Sequence, residues 1–251
     1  MSDERQGSWS YGVRAVESLL TQDAGEVQEV WLVRSDRPGP ARRRVQELAE
    51  SARVRVRLVS DEQLRRVLGE VHHQGVAARV AAYVYADEAR LLAEAPERAL
   101  IVALDGVQDP HNLGAIIRSA VGLGAYAVVI PRHRSASVTP AVRRVSTGAV
   151  DRIPVARVTN LARFLVQSRD AGFWSYATVV GGGEPVSAVS FGARSVLVMG
   201  AEGEGVRDGV LRASDVRVTL PLEGVESLNV SVAAGIFLYA WRCSVAGVSG
   251  G

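Results

Sequence analysis

The stretch ALIVALDGVQDPHNLGAIIRSA, residues 99–120, decides the fold class of this chain. It opens with a run of apolar residues that ends at Asp105, as in a strand buried on both faces. A turn follows, and from Asn112 the apolar residues take helical spacing. Apolar strands and helical segments alternate from there through AYAVVIP at Ala125 and VRVTLPL at Val216 to a final helix from Leu228. This alternation predicts an α/β fold with a mostly parallel sheet and helices on both faces.

The residues before this stretch predict a second, smaller α/β domain. Helical patterns such as YGVRAVESLL alternate there with strand patterns such as VQEVWLV. The segment ADEARLLAEAPE that follows is charged and rich in alanine, which is typical of a connection. We therefore expect a first domain over residues 1–85, a linker over 86–97, a second domain over 98–246 and a flexible tail over 247–251.

The charge of the chain is unevenly distributed, although its formal net charge is only +2. All 29 cationic residues are Arg, and residues 111–169 contain nine Arg and a single acid, Asp151. Residues 170–226 contain eight acids and four Arg. A basic stretch of this kind suits RNA phosphates, which Arg binds with paired hydrogen bonds, although a solvated face without a partner has the same composition. The candidate RNA-binding residues are Arg118, Arg132, Arg134, Arg143 and Arg144.

The compartment is indicated by cysteine usage and by the start of the chain. Cys243 is the only cysteine, so an intramolecular disulfide and a cysteine-rich zinc site are both excluded. The start MSDERQGSWSYG has no apolar signal-peptide run, and no window approaches 18 uninterrupted apolar residues. These features predict a cytoplasmic protein with no membrane partner.

Asn112 and Arg118 are candidate functional residues because they are polar positions at the start of, or inside, an otherwise apolar helix. Six residues turn a helix by about 600°, so the two side chains lie about 120° apart on a continuous helix. They converge only if Asn112 caps the helix or precedes it, and a structural N-cap is the alternative role for Asn112. A buried Arg118 requires an anionic partner, either a carboxylate or an RNA phosphate.

The segment SVLVMGAEGEGV, residues 195–206, predicts a buried strand that breaks into a loop with Gly200, Gly203 and Gly205. Glycine allows a backbone to approach a ligand closely and to adopt positive φ. The loop is therefore either a cofactor cradle or a tight turn from strand to helix. Glu202 lies within the bend, where its carboxylate can pair with Arg118.

The segment VTLPLEGVESLNVSVAAGIFLYAW, residues 218–241, predicts a strand, a loop and a long helix rich in small residues. Ser227 is a candidate N-cap of that helix, which is a purely structural role. Asn229 and Ser231 would then lie in its first turn, where exposed donors also hold ligands. The small residues of the run 232–235 permit close packing, either inside the fold or against a second subunit.

Several enzyme classes lack their characteristic residues. None of the four histidines lies near a nucleophile elbow, so a hydrolase is disfavoured. His72 and His73 have no third ligand nearby, and no metal is expected. The glycines of GLGAYA, from Gly122, follow a helix and enter a strand, the reverse of the dinucleotide-binding order, and no GxxxxGK[ST] motif is present.

Taken in order, NLGAIIR from Asn112, LVMGAEGEGV from Leu197 and LPLEGVESLNVSVAAG from Leu220 resemble the three motifs of the SpoU/TrmH branch of the SPOUT methyltransferases. The resemblance covers nearly the whole chain and is closest to the RlmB-type enzymes, which modify a guanosine ribose in large-subunit (23S) ribosomal RNA. It implies an amino-terminal RNA-binding domain similar to ribosomal protein L30e and a SPOUT domain with a carboxy-terminal trefoil knot. It also implies S-adenosylmethionine as the methyl donor, S-adenosylhomocysteine as the product, and a homodimer formed by the SPOUT domain through the run 232–235 and the final helix.

The same resemblance implies roles for individual residues. The implied catalytic residues are Asn112, Arg118, Glu202, Ser227 and Asn229. Arg118 would bind phosphate and stabilise the developing alkoxide, because an always-charged guanidinium is a poor general base. Glu202 would orient Arg118 or Asn112. The implied cofactor-binding residues are Thr178, Gly200, Glu202, Gly203, Leu220, Leu222, Ser227, Leu228 and Asn229, many of them through the backbone.

Three other functions compete with ribose methylation of 23S ribosomal RNA. One keeps the chemistry and changes the target, to transfer RNA or to a ribosomal nucleotide that governs antibiotic resistance. Another is a noncatalytic RNA-binding assembly factor, which would not need this set of polar residues. A small-molecule α/β enzyme would not show the salt-dependent RNA affinity that phosphate contacts produce.

Overall fold

The computed structural model describes residues 8–247, with side chains described for residues 9–244, and divides the chain into two compact units at Val84. Each unit has its own sheet and its own buried apolar cluster. The elements of the first unit are β1 Ser8–Tyr11, α1 Val13–Gln22, β2 Val27–Val33, α2 Pro40–Ser51, β3 Arg55–Val59, α3 Asp61–Leu68 and β4 Val76–Val80, with a 3-10 turn at Ala24–Glu26.

The first unit is a four-stranded sheet in the order β1-β4-β2-β3, in which only the pair β2 and β3 is parallel. Alternate residues of β2 point to opposite faces of the sheet. Val30 and Leu32 belong to a cluster with residues of α1 and α2, whereas Trp31 and Val33 pack with α3. Helices α1 and α2 therefore cover one face of the sheet, and α3 covers part of the other.

The second unit contains the buried apolar run that ends at Asp105. Its strands are β5 Ala99–Asp105, β6 Ala127–Pro131, β7 Val155–Val158, β8 Trp174–Thr178, β9 Glu184–Pro185, β10 Arg194–Gly200 and β11 Val216–Thr219. Its helices are α4 Glu88–Ala93, α5 Pro110–Gly122, α6 Pro140–Val145, α7 Leu161–Asp170, α8 Asp208–Ala213 and α9 Val230–Gly247, with a 3-10 turn at Ala149–Arg152.

All seven strands of this second sheet are parallel, in the order β7-β6-β5-β10-β8-β11-β9. Every residue of β5 is buried, including Asp105, as expected for a central parallel strand. From β5 the chain continues to β6 on one side, whereas from β10 it continues through α8 to β11 on the other. Ligands of open parallel sheets bind outside the carboxyl ends of the strands where the strand order reverses, which here is between β5 and β10. The predicted α/β fold with a parallel sheet is confirmed.

The segment predicted as a linker, residues 86–97, is instead part of the second unit. Helix α4 lies within it, and Leu91 is buried in the core of that unit. Arg194 also donates hydrogen bonds to the carbonyl oxygens of Ala95 and Pro96, at 2.8 and 3.1 Å. The charged composition of the segment concealed a short amphipathic helix.

Two helices begin at residues other than those predicted. Helix α5 begins at Pro110, and its N-cap is Asp109, whose carboxylate accepts the His111 N–H at 2.9 Å. Helix α9 begins at Val230 rather than at Leu228 and ends at Gly247. The rest of the predicted tail, residues 248–251, lies outside the described residues.

Candidate active site

A cleft of about 190 Å³ opens at the carboxyl ends of β5 and β10, where the strand order reverses. The loop after β5, the first turn of α5, the loop after β10 and the start of α9 line it. The two loops touch, because a Cβ on Gly106 would lie 3.4 Å from the Cβ of Ala201. The cleft is smaller than the roughly 300–1,000 Å³ of a typical small-molecule pocket, so its size suits one sugar rather than a whole cofactor.

Three polar side chains, one from each motif, meet at this cleft. Asn112 Nδ2 donates to Glu202 Oε1 at 3.2 Å, and Asn229 Nδ2 donates to the same oxygen at 2.6 Å. Asn229 Nδ2 also donates to Asn112 Oδ1 at 3.1 Å. The structure thus brings together Asn112, Glu202 and Asn229, three of the five residues that the family resemblance implies are catalytic, across 117 positions of sequence.

The carboxylate of Glu202 lies at the amino-terminal ends of two helices. Oε1 accepts the backbone N–H of Val230, the first residue of α9, at 3.4 Å, while Asn112 is the third residue of α5. The positive ends of both helix dipoles favour an anion there. Within residues 9–244, Glu202 has no cationic partner, and its Oε2 accepts no hydrogen bond. One carboxylate oxygen thus remains available beside the cleft.

The residues that cap the amino-terminal ends of α5 and α9 are not the ones considered as caps in the sequence. Asn112 lies inside the first turn of α5, almost fully buried, and the cap is Asp109. Asn229, not Ser227, caps α9, because its Oδ1 accepts both the N–H and the hydroxyl of Ser231 at 2.9 and 2.6 Å. Ser227 is exposed and forms no hydrogen bond within the described residues. Helix α9 begins two residues later than predicted, and the cap therefore moves from Ser227 to Asn229.

Arg118 does not pair with Glu202. Because Asn112 lies within the helix, the six intervening residues carry Arg118 about 9 Å along α5 and about 120° around it. Its side chain is exposed and has no hydrogen-bond or ion-pair partner within residues 9–244. The predicted pair of Arg118 and Glu202 is therefore wrong, and Arg118 is left available to an anion outside this chain.

A buried ion pair that the sequence did not reveal fixes the loop that carries Glu202. Asp105, at the end of β5, has a side chain with 0% exposure. Its Oδ1 accepts Nε and Nη2 of Arg207 at 2.8 and 2.5 Å, and its Oδ2 accepts the Arg207 backbone N–H at 2.8 Å. The hydrogen bond to Asp105 raises the pKa of Arg207, partial burial opposes that shift, and the Asp105 charge adds to it. A single acid at the end of an otherwise apolar strand was the available signal.

The glycines of the loop after β10 are explained by a tight turn. The backbone N–H and C=O groups of Ala201 and Gly205 are hydrogen-bonded to one another, and Gly203 and Gly205 adopt positive φ values of 83° and 68°. A Cβ on Gly200 would lie 2.1 Å from the carbonyl carbon of Gly205. The loop therefore closes on itself immediately after β10, which supports the strand-to-helix turn, and it presents Glu202 at its bend.

Gly114, in the first motif, has a packing role. A Cβ at this position would lie 2.7 Å from the Cβ of Val145 in α6. Only glycine allows α5 and α6 to approach this closely. The glycine of NLGAIIR thus positions the helix that carries Asn112 and Arg118.

Three of the predicted cofactor residues outside the cleft lie at the ends of adjacent strands or directly after them. Thr178 ends β8, Gly200 ends β10, and Leu220 follows β11, and these strands are neighbours in the sheet. Leu220 and Leu228 are half-buried, whereas Leu222 is more exposed, at 36%. Gly203, in the loop after β10, is exposed. Of the predicted cofactor residues, only Glu202 lines the cleft described above.

The loop between β11 and α9 offers many backbone groups to a ligand. Within the described part of the chain, residues 220–228 form no hydrogen bond through backbone N–H or C=O groups. A ligand that is held by backbone groups finds donors and acceptors there, beside the closed glycine turn. This donor set fits the adenosine and amino-acid groups of S-adenosylmethionine.

The candidate RNA-binding arginines differ in their surroundings. Arg134 is exposed, has a φ of 55°, and has no partner within residues 9–244. Its loop is attached to the cleft, because the Ala136 N–H donates to the carbonyl oxygen of Val107 at 2.8 Å. Arg132 and Arg144 are exposed, whereas Arg143 is half-buried and pairs with Asp151 at 3.2 Å. Arg134 is the member of this set that lies next to a residue lining the cleft.

Helix α9 has one buried and one exposed apolar face. Ala234, Phe237, Leu238 and Trp241 are buried at helical spacing. Val232, Ile236 and Tyr239 are exposed, at 53, 40 and 62%. A Cβ on Gly235 would meet nothing within 4 Å, so packing inside this chain explains Ala234, which is buried, but not Gly235.

Neither a metal-ion cluster nor a membrane-spanning helix is found among the described residues. No group of three or more His, Cys, Asp or Glu side chains is placed to hold a metal ion in this part of the chain. No helix among residues 8–247 is both long enough and apolar enough to cross a membrane.

Both units match known protein families. Residues 99–239 match the SpoU rRNA Methylase family, and residues 9–86 match the family described as RNA 2'-O ribose methyltransferase substrate binding. The chain is 44% identical over 239 residues to the 23S rRNA (guanosine-2'-O-)-methyltransferase RlmB of Xanthomonas campestris, covering 94% of this chain and 96% of that protein. The RlmB of Nitrosomonas europaea is 38% identical, with 91 and 88% covered.

Solved structures show the same likeness. The SpoU methyltransferase AviRb from Streptomyces viridochromogenes, in complex with AdoMet, matches with a TM-score of 0.60 and 25% identity over 96% of this chain and 91% of that chain. An AdoMet-bound rRNA methyltransferase from Sinorhizobium meliloti matches with a TM-score of 0.61 and 25% identity, with 95 and 87% covered.

Proposed function

This chain belongs to the SpoU rRNA methylase family, and from that membership we propose that it methylates the ribose 2'-hydroxyl of a guanosine in 23S ribosomal RNA. The observation that carries the proposal is the hydrogen-bonded set Asn112, Glu202 and Asn229, which joins the three motifs at one cleft. A protein that only bound RNA would not need a buried amide and a carboxylate held in this geometry.

The target ribose enters the cleft between the loops after β5 and β10. Asn229 uses both of its amide hydrogens within the set, whereas Asn112 uses one and retains the other. The free N–H of Asn112 and the free Oε2 of Glu202 form a donor and an acceptor suited to one hydroxyl group. They orient the 2'-oxygen for attack, and Glu202 Oε2 accepts the hydrogen bond of the hydroxyl. Orientation of this kind is a large part of catalysis in a displacement reaction.

S-adenosylmethionine supplies an activated methyl group on a sulfonium, so the protein has to position the groups rather than activate the donor. The residues that would hold it are Thr178, Gly200, Leu220, Leu222 and Leu228, mainly through their backbones. The unbonded backbone groups of residues 220–228 support this assignment. Glu202 bonds Asn229 and the backbone N–H of Val230, which directly follow this loop, and this supports a donor site close to the acceptor site. The trefoil knot that the family implies remains a prediction.

Arg118 and Arg134 are assigned to the RNA phosphates. Both are exposed and free of acidic partners within residues 9–244, and an unpaired guanidinium on the surface is available for bidentate phosphate contacts. Arg143 is a weaker candidate, because Asp151 already neutralises it. Arg118 is proposed to bind the phosphate next to the target ribose and to stabilise the alkoxide that develops there.

A homodimer formed by the second unit is also proposed. The exposed face of α9, with Val232, Ile236 and Tyr239, is apolar and unpartnered in the single chain. Such a face is stabilised by burial against another apolar surface. A two-fold contact through α9 buries these side chains and accounts for Gly235, where a Cβ would meet nothing inside this chain. Sedimentation equilibrium of the purified chain tests it, and a monomer at micromolar concentration contradicts it.

Transfer of labelled methyl from S-adenosylmethionine to total ribosomal and transfer RNA tests the function directly. A 2'-O-methyl group blocks alkaline cleavage at its own phosphodiester, so alkali-resistant linkages identify the modified nucleotide. We expect one guanosine in 23S RNA, in the cytoplasm where the ribosome is assembled. Label found in transfer RNA alone would contradict 23S ribosomal RNA as the substrate. If the protein binds S-adenosylmethionine but transfers no methyl group to free RNA or to ribosomal particles, the proposed methyltransferase activity is contradicted.

A further inference from the structure

The first unit contains a second cleft, of about 410 Å³, at the amino-terminal ends of α1 and α2. Val13, Arg37, Gly39, Arg42 and Gln74 are among the residues that line it. The catalytic set lies wholly in the second unit, so this cleft has no part in the chemistry described above. Its composition, with two arginines at two helix amino termini, is that of an anion-binding site.

Arg42 is held in a fixed position in this cleft. Its Nε donates to the carbonyl oxygen of Gln74 at 3.2 Å. A Cβ at Gly75 would lie 2.5 Å from Arg42 Nη2, so the guanidinium packs directly on the Gly75 backbone. Glycine is favoured there by its φ of 73°, and a Cβ would displace the guanidinium of Arg42. The two terminal nitrogens of Arg42 remain available to a ligand.

Gln74 joins the two helix ends that form the cleft. Its Oε1 accepts the N–H of Val13, the first residue of α1, at 3.0 Å. Its own φ is 55°, an unusual value for a residue other than glycine. The backbone and side chain of Gln74 thus fix the start of α1 and the guanidinium of Arg42 relative to one another.

The charges around the cleft favour a bound anion. Residues 34–44 contain five Arg and one acid, Asp36. Helices α1 and α2 have no acid in the first turn, and their N-cap residues are Gly12 and Gly39, whereas α3 has Asp61 and Glu62 in its first turn. Cations at the positive end of a helix dipole are unfavourable unless an anion compensates them. Neither Arg37 nor Arg42 has a carboxylate partner within residues 9–244.

We propose that this cleft binds a phosphate of the RNA backbone, with Arg42 as the fixed donor and Arg37 as the second cation. The inference rests on the proposed function, because it assigns the substrate contact of the first unit. Phosphate contacts fix the register of an RNA without reading its sequence. The cleft therefore contributes affinity for the substrate and no base specificity.

The test compares Arg42→Ala and Arg37→Ala with the control Arg66→Ala. Arg66 is an exposed arginine on α3, paired only with Glu62, on the other face of the sheet. Arg37 has an exposed side chain, so its removal leaves the fold intact, and thermal unfolding checks the Arg42 variant. Binding to a 23S RNA transcript is measured at several KCl concentrations, and methyl transfer gives KM and kcat for the same RNA.

For each cleft variant we expect the Kd for RNA to rise about three- to tenfold and the slope of log Kd against log salt to fall by about 0.7–0.9. The KM for RNA should rise in parallel, with kcat within about twofold, because only uniform binding is lost. Arg66→Ala should change none of these values.

An unchanged KM and salt slope in both folded cleft variants would falsify the phosphate assignment, even while the wild type methylates RNA. A loss of kcat with unchanged affinity also overturns it, because that result assigns the cleft to something other than RNA binding. Failure of the wild type to methylate any RNA would instead contradict the proposed function itself, so the two failures are distinguishable.

Discussion

Removing the side chain of Arg207 tests whether its pair with Asp105 holds the Glu202 loop in place. Arg207→Ala leaves Asp105, whose side chain has 0% exposure, with one backbone N–H in place of three donors. Breaking a buried ion pair costs about 3–5 kcal/mol. Because Arg207 is itself 49% exposed, water compensates part of that loss, and we expect a cost of about 2–3 kcal/mol.

For a unit of this size, that loss lowers the melting temperature by about 4–12 °C. The catalytic consequence is separate, because the loop over residues 201–206 is anchored at Gly200 on one side and at Arg207 on the other. A displacement of Glu202 by about 1 Å costs up to about a hundredfold in rate. We therefore expect kcat to fall at least about tenfold at temperatures where the variant is folded.

Calorimetry or circular dichroism gives the stability, and labelled methyl transfer gives kcat. Arg212→Ala is the matched control, since Arg212 is an exposed arginine of the adjacent helix α8 with no ion-pair partner within residues 9–244. The double variant Asp105→Asn with Arg207→Ala should be more stable than Arg207→Ala alone, because no unpaired charge is then buried. An Arg207→Ala protein with the melting temperature and kcat of the wild type would refute the reasoning.

Three further substitutions address the site itself. Glu202→Gln keeps the shape of the side chain but removes the negative charge that accepts hydrogen bonds from Asn112 and Asn229. We expect kcat to fall about 10²-fold or more, while the affinity for S-adenosylmethionine changes little. Undiminished turnover would contradict the role of the carboxylate. Arg118→Ala should abolish methyl transfer while the affinity for S-adenosylmethionine is retained. The control is Arg163→Ala, which removes an exposed arginine of the same basic stretch and should be nearly neutral. Equal effects of the two substitutions would refute the specific role of Arg118. Gly200→Ala places a Cβ 2.1 Å from the backbone of Gly205. It should destabilise the second unit by about 1–3 kcal/mol and weaken S-adenosylmethionine binding. A calorimetric titration of S-adenosylmethionine that equals the wild type would contradict the closed turn.

The central strands of the second unit, such as β5 and β10, were predictable because a buried parallel strand is marked by its own residues. The run 99–104 is apolar throughout, and every one of its side chains is buried. Short elements were harder to predict. Helix α4 was hidden in a charged segment, because only Leu91 of its residues is buried. A single apolar contact is too weak a periodic signal to separate a helix from a linker.

The capping positions were only partly predictable. Asp109 and Asn112 are both good N-caps by residue type, and they are three positions apart. The structure uses Asp109 and places Pro110 in the first helical position, where its missing N–H costs nothing. This choice turns Asn112 into an inward-facing residue of the site and moves Arg118 away from it.

The sequence by itself determined the α/β class and the family, and it marked Asn112, Glu202 and Asn229 as candidates together with Arg118 and Ser227. These follow from local periodicity and motif, which depend on neighbours along the chain. Only the tertiary structure decided that Glu202 bonds Asn112 and Asn229 rather than Arg118, and that Asp105 holds Arg207. The Asn112–Glu202 and Asp105–Arg207 pairings join residues 90 and 102 positions apart, and they form because β10 lies beside β5 in the sheet. Strand order is a property of the packed sheet, and no local pattern of residues encodes it.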